Sequence, residues 1–181
     1  MKKKNILIIS STMRKGGNSE ILAENFKKGA EEKGHIVEIV YLRNYNINFC
    51  RGCLYCQKEH KCVINDDAKL LLDKFKNADA IVFTTPVYYY TMCGQLKNFL
   101  DRMNPVFAMK YNFKEIYLLA SCADEEESAI NIILKEIEGW ISCFEGVKLM
   151  GHLCATNVTN VKDILSNENI INKAITMGKN A

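Results

Sequence analysis

Four cysteines lie close together in the chain, at Cys50, Cys53, Cys56 and Cys62, with the spacing Cys-x2-Cys-x2-Cys-x5-Cys. Three thiolates at this spacing can ligate three irons of a 4Fe-4S cluster, and the fourth cysteine completes the set from the end of the same segment. Zinc sites more often have two ligand pairs separated by a long gap, so the spacing favours an iron-sulfur cluster over zinc. Free or redox-active thiols are the third alternative.

A second candidate site lies near the start of the chain, where an apolar run at positions 6–9 is followed by hydroxyls at positions 10–12 and by Arg14. Asn18 or Ser19 can then cap the next helix. Free amides at a helix start, with hydroxyls and a cation beside them, form an anion site, and we expect phosphate there. An ordinary turn that binds nothing is the alternative. The P-loop and dinucleotide fingerprints are both missing, which disfavours a resident nicotinamide.

Strands and helices alternate along the chain, and this alternation predicts how the two candidate sites are positioned. Apolar runs predict strands near 6–9, 36–43, 78–84, 115–120 and 147–153. The helices between them include 94–102 and 125–142, and a last helix follows at 169–178. We therefore expect an α/β fold with a flavodoxin-like, doubly wound, five-stranded parallel sheet of order 2-1-3-4-5. Ligands of such sheets bind outside the carboxyl ends of strands one and three.

The third predicted strand is followed by an aromatic loop, which begins at Pro86 and includes Tyr88, Tyr89 and Tyr90. We expect Pro86 to end the strand, because proline has no amide hydrogen to donate. Tyrosines in such a loop are more often core or rim residues than ligand contacts. Here, however, the sheet order places them beside the phosphate loop, where they can pack on a flavin ring. Residues 43–65 lack hydrophobic periodicity and contain the four cysteines. The sheet order places this loop at the same edge of the sheet.

Composition limits the kind of protein this is. A hydrophobic content of 48% and only two prolines indicate one domain spanning residues 1–181, with the cysteine-rich loop at 43–65. The net charge of +3 comes with scattered lysines, which argues against nucleic-acid binding. We expect a cytoplasmic protein without a membrane span, because no long apolar run follows the basic start. In that compartment the cysteines should not form structural disulfides.

Three motifs together resemble the NADPH-dependent FMN reductase family. They are the loop Arg14-Lys15-Gly16-Gly17-Asn18-Ser19, the segment Pro86-Val87-Tyr88-Tyr89 followed by Leu96-Lys97-Asn98-Phe99-Leu100-Asp101-Arg102, and the cysteine loop ending in Cys62-Val63-Ile64-Asn65-Asp66-Asp67. Within that family, the cysteine spacing is similar to that of the iron-sulfur flavoproteins. The family often has Gly-Ser-Pro-Arg where this chain has Ser11-Thr12-Met13-Arg14.

The resemblance implies a set of cofactor contacts and metal ligands. Thr12, Arg14, Asn18 and Ser19 would hold the FMN phosphate, and the Pro86–Tyr89 segment would line the isoalloxazine. The whole predicted FMN-binding set is Ser10, Thr12, Met13, Arg14, Asn18, Ser19, Pro86, Val87, Tyr88, Tyr89, Ser121 and Cys122, and the predicted metal ligands are Cys50, Cys53, Cys56 and Cys62. No residue is predicted to be catalytic, because the flavin performs the chemistry.

The predicted function is that of an FMN-dependent oxidoreductase, which transfers electrons between NAD(P)H or a reduced carrier and a small acceptor, with a 4Fe-4S cluster next to the flavin. The donor or acceptor is a small molecule or a protein, and the family resemblance implies a dimer or tetramer. Two alternatives are a flavodoxin-like electron carrier and a zinc-stabilised interaction module. We also expect Asp101 and Arg102 to form a surface ion pair or an oligomer contact, and Cys93, Cys122, Cys143 and Cys154 to be core residues.

Overall fold

The computed structural model describes residues 2–181 and shows a parallel β-sheet with helices on both faces. The strands are β1 Asn5–Ser10, β2 Ile36–Tyr41, β3 Ala80–Tyr88, β4 Thr91–Met92, β5 Glu115–Ser121 and β6 Lys148–Ala155. The five long strands are parallel and stand in the order β2-β1-β3-β5-β6, while the short β4 pairs antiparallel with the end of β3. The predicted flavodoxin-like fold is therefore confirmed, and β4 is an addition that the sequence pattern did not reveal.

The hydrophobicity of each strand matches its place in the sheet. β1 and β3 lie in the middle, and residues such as Ile8 and Val82 are completely buried. The apolar run at 6–9 in β1 and the one at 80–83 in β3 are uninterrupted, as expected where helices cover both faces of a sheet. β6 lies at the edge, and along most of its length more exposed residues alternate with less exposed ones.

The part of the chain from residue 2 to 181 contains six α-helices: α1 Asn18–Glu32, α2 Tyr55–Glu59, α3 Ala68–Asn77, α4 Gly94–Arg102, α5 Asn131–Ile141 and α6 Glu168–Lys179. Short 3₁₀ helices occupy Leu42–Asn44, Asn104–Ala108, Glu127–Ile130 and Asp163–Ser166. Helices α1 and α6 pack on one face of the sheet, and α3, α4 and α5 pack on the other. None of the helices between residues 2 and 181 has the length and apolar character that a membrane crossing requires.

Helices α1 and α6 approach each other closely at two glycines. A Cβ atom added to Gly29 would lie 1.9 Å from the carbonyl oxygen of Ile175, and one added to Gly178 would lie 2.0 Å from that of Phe26. These distances are far below van der Waals contact, so no larger side chain fits without moving backbone. Helix α1, whose first turn borders the candidate phosphate site, therefore packs directly against α6.

Two expected element boundaries were wrong. Pro86 does not end β3, which continues to Tyr88 and pairs Pro86 with Ser121 of β5. The pairing of β1 with β3 ends at Thr84, so at Pro86 the strand has a long neighbour on one side only, where proline is tolerated as at a sheet edge. The helix expected at 125–142 is a 3₁₀ turn followed by the shorter α5.

The start of α1 and the cysteine loop also differ from expectation. Gly17, rather than Asn18 or Ser19, is the N-cap of α1, and among the described residues no side chain caps this end. The cysteine loop is not wholly irregular, because it contains α2. Leu54 and His60 flank this helix in the left-handed conformation, which side chains other than glycine rarely adopt. The loop is therefore a folded segment of defined shape.

Candidate functional site

A cavity of about 190 Å³ lies at the carboxyl edge of the sheet, between the β1–α1 loop and the ends of β3 and β5. Nine of the predicted FMN contacts border it: Thr12, Arg14, Asn18, Ser19, Pro86, Val87, Tyr88, Ser121 and Cys122. Among residues 2–181, the other three predicted contacts do not border this cavity. Ser10 is buried beneath the loop, whereas Met13 and Tyr89 have 53% and 98% of their surface exposed.

The β1–α1 loop is tight, and its two glycines suit its shape. Gly16 has a φ of +70°, which favours glycine. Gly17 donates its amide to the Arg14 carbonyl oxygen at 3.1 Å, and an added Cβ would lie 3.0 Å from that oxygen and 3.1 Å from Thr12 Oγ1. Thr12 Oγ1 in turn accepts the Arg14 amide at 3.2 Å. The loop can thus bring its backbone close to a ligand at the start of α1.

Two serine hydroxyls at this edge are buried without a partner. Within residues 2–181, neither Ser10 Oγ nor Ser19 Oγ has a hydrogen-bond partner, although both residues are at most 1% exposed. A buried polar group without a hydrogen bond is destabilising by about 1–3 kcal/mol. Ser19 borders the cavity in the first turn of α1, where amides of the helix end are also free of intrahelical partners. An anion in the cavity would accept from Ser19 Oγ and from these amides.

Loop residues after β6 complete the cavity, and sequence reasoning missed them. Arg14 Nη1 donates to the Thr159 carbonyl oxygen at 2.8 Å, and Asn18 Nδ2 donates to that of Asn160 at 2.9 Å. Asn18 Oδ1 accepts the Ile164 amide at 3.2 Å, so both polar ends of this side chain already have partners. Asn18 therefore joins two loops and offers an anion only its backbone amide. The run of polar residues directly after the fifth long strand is the feature of the sequence that could have revealed this part of the cavity.

The aromatic loop has a shape that the tyrosine spacing did not reveal. Tyr88 pairs with Thr91 of β4, and Tyr89 and Tyr90 form the turn between them with φ values of +51° and +63°. Tyr90 donates its hydroxyl to Asp124 Oδ2 at 3.0 Å, and this bond raises the pKa of Tyr90. Only the base of the turn borders the cavity, while Tyr89 projects into solvent.

Cys122 borders the cavity as a neutral thiol. Its sulfur lies 3.6 Å from that of Cys154, and burial raises the pKa of both thiols. Cys93 is buried as well, and its sulfur donates to Ser11 Oγ at 3.1 Å. These three residues behave as the expected core cysteines, but the same expectation was wrong for Cys143, which is exposed.

The four clustered cysteines differ in their exposure. Cys56 is buried and Cys62 is half-buried, whereas Cys50 and Cys53 are exposed. Across residues 2–181, no three cysteine, histidine or carboxylate side chains are grouped closely enough to hold a metal ion. The predicted ligands thus share one loop, and no three of them in the described residues form a site for a single metal ion.

Hydrogen-bond donors nevertheless approach the sulfurs. Asn104 Nδ2 lies 3.2 Å from Cys56 Sγ, Arg102 Nη2 lies 3.5 Å from Cys62 Sγ, and the Gly52 amide lies 3.4 Å from Cys50 Sγ. Donors of this kind stabilise negative charge on sulfur. The chemistry of the donor set fits an anionic metal-thiolate group.

Arg102 forms hydrogen bonds with residues at both ends of the cysteine loop. Its guanidinium contacts Asp66 at 2.6 and 2.9 Å, just beyond the loop, and the Asn48 carbonyl oxygen at 2.6 Å, just before Cys50. Burial alone would raise the pKa of Asp66, but the hydrogen bonds from Arg102, Asn48 and the Ala68 amide outweigh it and lower the pKa to about 2. The expected surface pair of Asp101 and Arg102 was wrong, because Asp101 pairs with Lys97.

Comparison with known proteins adds a family and a set of relatives. Residues 4–134 match the family model described as NADPH-dependent FMN reductase. An iron-sulfur flavoprotein of Methanocaldococcus jannaschii is 36% identical over 101 residues, which are 56% of this chain and 52% of that protein. One of Methanosarcina thermophila is 34% identical over 94 residues, which are 52% of this chain and 49% of that protein. This chain thus spans about half the length of these curated relatives.

Solved structures share the fold. An NAD(P)H:quinone oxidoreductase from Methanothermobacter marburgensis superposes with a TM-score of 0.78, covering 99% of this chain and 96% of that chain at 17% identity. At this identity the likeness concerns the fold alone.

Proposed function

Because the chain belongs to the NADPH-dependent FMN reductase family, we propose that it is an FMN-dependent oxidoreductase that transfers electrons between NAD(P)H or a reduced carrier and a small acceptor. The observation that carries this proposal is the buried, unpartnered hydroxyl of Ser19, as found among residues 2–181, beside the cavity at the start of α1. The phosphate of FMN is an anion that would accept from Ser19 and from the first amides of the helix.

The phosphate would be held by the β1–α1 loop. Thr12 and Ser19 supply hydroxyls, Arg14 supplies a positive charge, and Asn18 and Ser19 supply backbone amides at the positive end of α1. The bond from Arg14 to Thr159 directs the guanidinium toward the same edge. Arg14 retains further N–H groups with which to donate to an anion, because a guanidinium carries five of them.

The ring would lie against the ends of β3 and β5. Val87 and Tyr88 border the cavity on one side and Cys122 borders it on another. FMN, when bound, supplies the redox chemistry, because its ring accepts two electrons and releases them together or singly. The side chains therefore have the tasks of binding and orienting the ring, and none has to act as a base or nucleophile.

The cysteine loop extends the proposal to a 4Fe-4S cluster with Cys50, Cys53, Cys56 and Cys62 as ligands. The ligand spacing, the donors that approach three of the sulfurs, and the iron-sulfur flavoprotein relatives support it. The cluster would supply one-electron chemistry near the flavin.

Three further features belong to the same proposal. The chain would act as one domain over residues 1–181, in the cytoplasm, and as a dimer or tetramer. Its partners would be small-molecule or protein electron donors and acceptors, without nucleic acid or membrane.

Anaerobic purification followed by an absorption spectrum and by analysis for FMN, iron, zinc and sulfide tests the proposal. Flavin bands with about four irons and four sulfides per chain are expected. Protein that contains flavin but no iron would refute the proposed cluster and leave the proposed oxidoreductase function intact. A colourless zinc protein would contradict both and would support an interaction module. Oxidation of NAD(P)H by the flavin form distinguishes an enzyme from a flavodoxin-like carrier, which would not react with it.

A further inference from the structure

Two side chains from outside the cysteine loop contact its sulfurs. Arg102 is the last residue of α4, and Asn104 begins the 3₁₀ helix that follows. Their nitrogens lie 3.5 Å from Cys62 Sγ and 3.2 Å from Cys56 Sγ. Pro105 follows Asn104 and limits the conformations of this short connection. Both donors thus lie outside the cysteine loop, on α4 and on the 3₁₀ helix that follows it.

Arg102 is unusually buried for a residue with a charged side chain. The residue is 2% exposed, and within residues 2–181 its Nε atom has no hydrogen-bond partner. Asp66 balances its charge, but one arm of the guanidinium reaches past Asp66 to Cys62. A salt bridge between Arg102 and Asp66 alone does not require this sulfur contact. The unpaired Nε shows that the buried guanidinium has donor capacity beyond its present partners.

Asn98 provides a useful comparison with Asn104. It lies one turn before Arg102 on α4, and its Nδ2 donates to the Ile47 carbonyl oxygen at 2.8 Å. Asn98 therefore anchors the same loop by the same type of group, but it contacts a carbonyl rather than sulfur. An effect that arises only from anchoring the loop should be shared by Asn98 and Asn104.

We propose that Asn104 and Arg102 are positioning residues that hold Cys56 and Cys62 from outside the loop. This inference rests on the proposed cluster, whose reduction potential the two residues raise. Reduction adds a negative charge that spreads onto the sulfurs. N–H donors aimed at sulfur stabilise the reduced form more than the oxidised form. Loss of a donor should therefore make reduction harder.

The test compares Asn104→Ala with Asn98→Ala in the anaerobically purified holoprotein, using a redox titration followed by electron paramagnetic resonance. Asn104→Ala should decrease the equilibrium constant for cluster reduction about tenfold, a shift of about 59 mV to lower potential for a one-electron couple. Asn98→Ala should leave the potential unchanged. An unchanged potential in Asn104→Ala, or equal shifts in both variants, would overturn the proposal.

Iron content provides a second measurement when Asn104→Ala does not retain the cluster. Asn104→Gln keeps an amide donor, so iron retained in Asn104→Gln and Asn98→Ala but lost in Asn104→Ala would support the proposal. Iron lost equally from all three variants would overturn it. Wild-type protein that contains FMN but no iron would refute the cluster, and this inference with it, while leaving the flavin oxidoreductase intact.

Discussion

Arg102 and Asp66 form an ion pair whose side chains are only 1% and 3% exposed, with Nη1 of the arginine 2.6 Å from Oδ2 of the aspartate. The same aspartate accepts the Asn48 amide at 2.8 Å. This pair therefore joins α4 to both ends of a loop whose cysteines are predicted to bind metal. A buried pair of this kind is sensitive to loss of one partner, because the other charge remains buried without a counter-ion.

Asp66→Asn should lower the free energy of unfolding by about 3–5 kcal/mol, because it leaves the Arg102 charge buried and unbalanced. Urea denaturation of the metal-free protein measures the change. Asp101→Asn is the matched control, since Asp101 pairs with Lys97 and is 46% exposed. The control should change stability by less than about 1 kcal/mol. Similar losses in both variants would contradict the special role of the buried pair.

The stability that Asp66 provides should depend on pH in the acid range. Its folded pKa of about 2 lies below its ordinary value of 3.8, so the contribution is complete above about pH 4 and is lost as the pH falls toward 2. The shift corresponds to about 2 kcal/mol. Unfolding of the wild-type protein and of Asp66→Asn, measured between pH 6 and pH 2.5, should show a difference that narrows on acidification. A difference that stays constant would mean that Asp66 titrates normally.

Gly29→Ala should destabilise the protein by about 1–3 kcal/mol or more, because the new Cβ would overlap the Ile175 carbonyl oxygen and push α6 away from α1. Thermal or urea unfolding measures this loss. Gly139→Ala is the control on an exposed part of α5, where no described atom lies within 4 Å of the new Cβ. That change should stabilise by about 0.5–1 kcal/mol through helix propensity. Stabilisation by both changes would show that α1 and α6 are not in close contact.

Ser19→Ala should have opposite effects on the cofactor-free and cofactor-bound protein. Without cofactor, the change removes a buried hydroxyl that has no partner among residues 2–181, so stability should stay equal or rise. FMN affinity should fall about three- to tenfold, because one hydrogen bond to phosphate is lost. Calorimetric unfolding and fluorescence titration with FMN measure the two effects. Unaltered FMN affinity would show that Ser19 does not face the phosphate.

Arg14→Ala should weaken FMN binding by about 1.5–3 kcal/mol, roughly ten- to a hundredfold, because a charge-assisted bond to phosphate is removed. Lys15→Ala provides the control, since Lys15 is an exposed cation in the same loop that does not border the described cavity. Riboflavin, which lacks the phosphate, should bind both variants and the wild type equally. A loss of riboflavin affinity in Arg14→Ala would assign Arg14 to the ring instead.

Local patterns in the sequence predicted much of the fold. The bounds of α4 were predicted residue for residue, because apolar side chains recur there at helical spacing between a glycine and an arginine. The order of the long strands followed from their alternation with helices. Pro86 was misjudged because its effect depends on where the neighbouring β1 ends, which is a property of the assembled sheet.

The site was less predictable where partners are distant in the chain. Asp66 and Arg102 are separated by 36 positions, and nothing local distinguishes this arginine from a surface residue. Asn18 has the composition of a helix cap, but its side chain contacts residues more than 140 positions away. Such pairs follow from tertiary packing, whereas the hydroxyls, glycines and cysteines of each loop were visible in sequence.

The bonds from Arg14 and Asn18 to the loop after β6 have a consequence for biosynthesis. Thr159 and Asn160 leave the ribosome long after the β1–α1 turn, and they lie beyond residues 4–134 that match the family. A nascent chain that ends before them has the glycines and hydroxyls of the turn but not the carbonyls that orient its arginine and asparagine. The phosphate site proposed at this turn thus depends on a segment that is synthesised well after the turn itself.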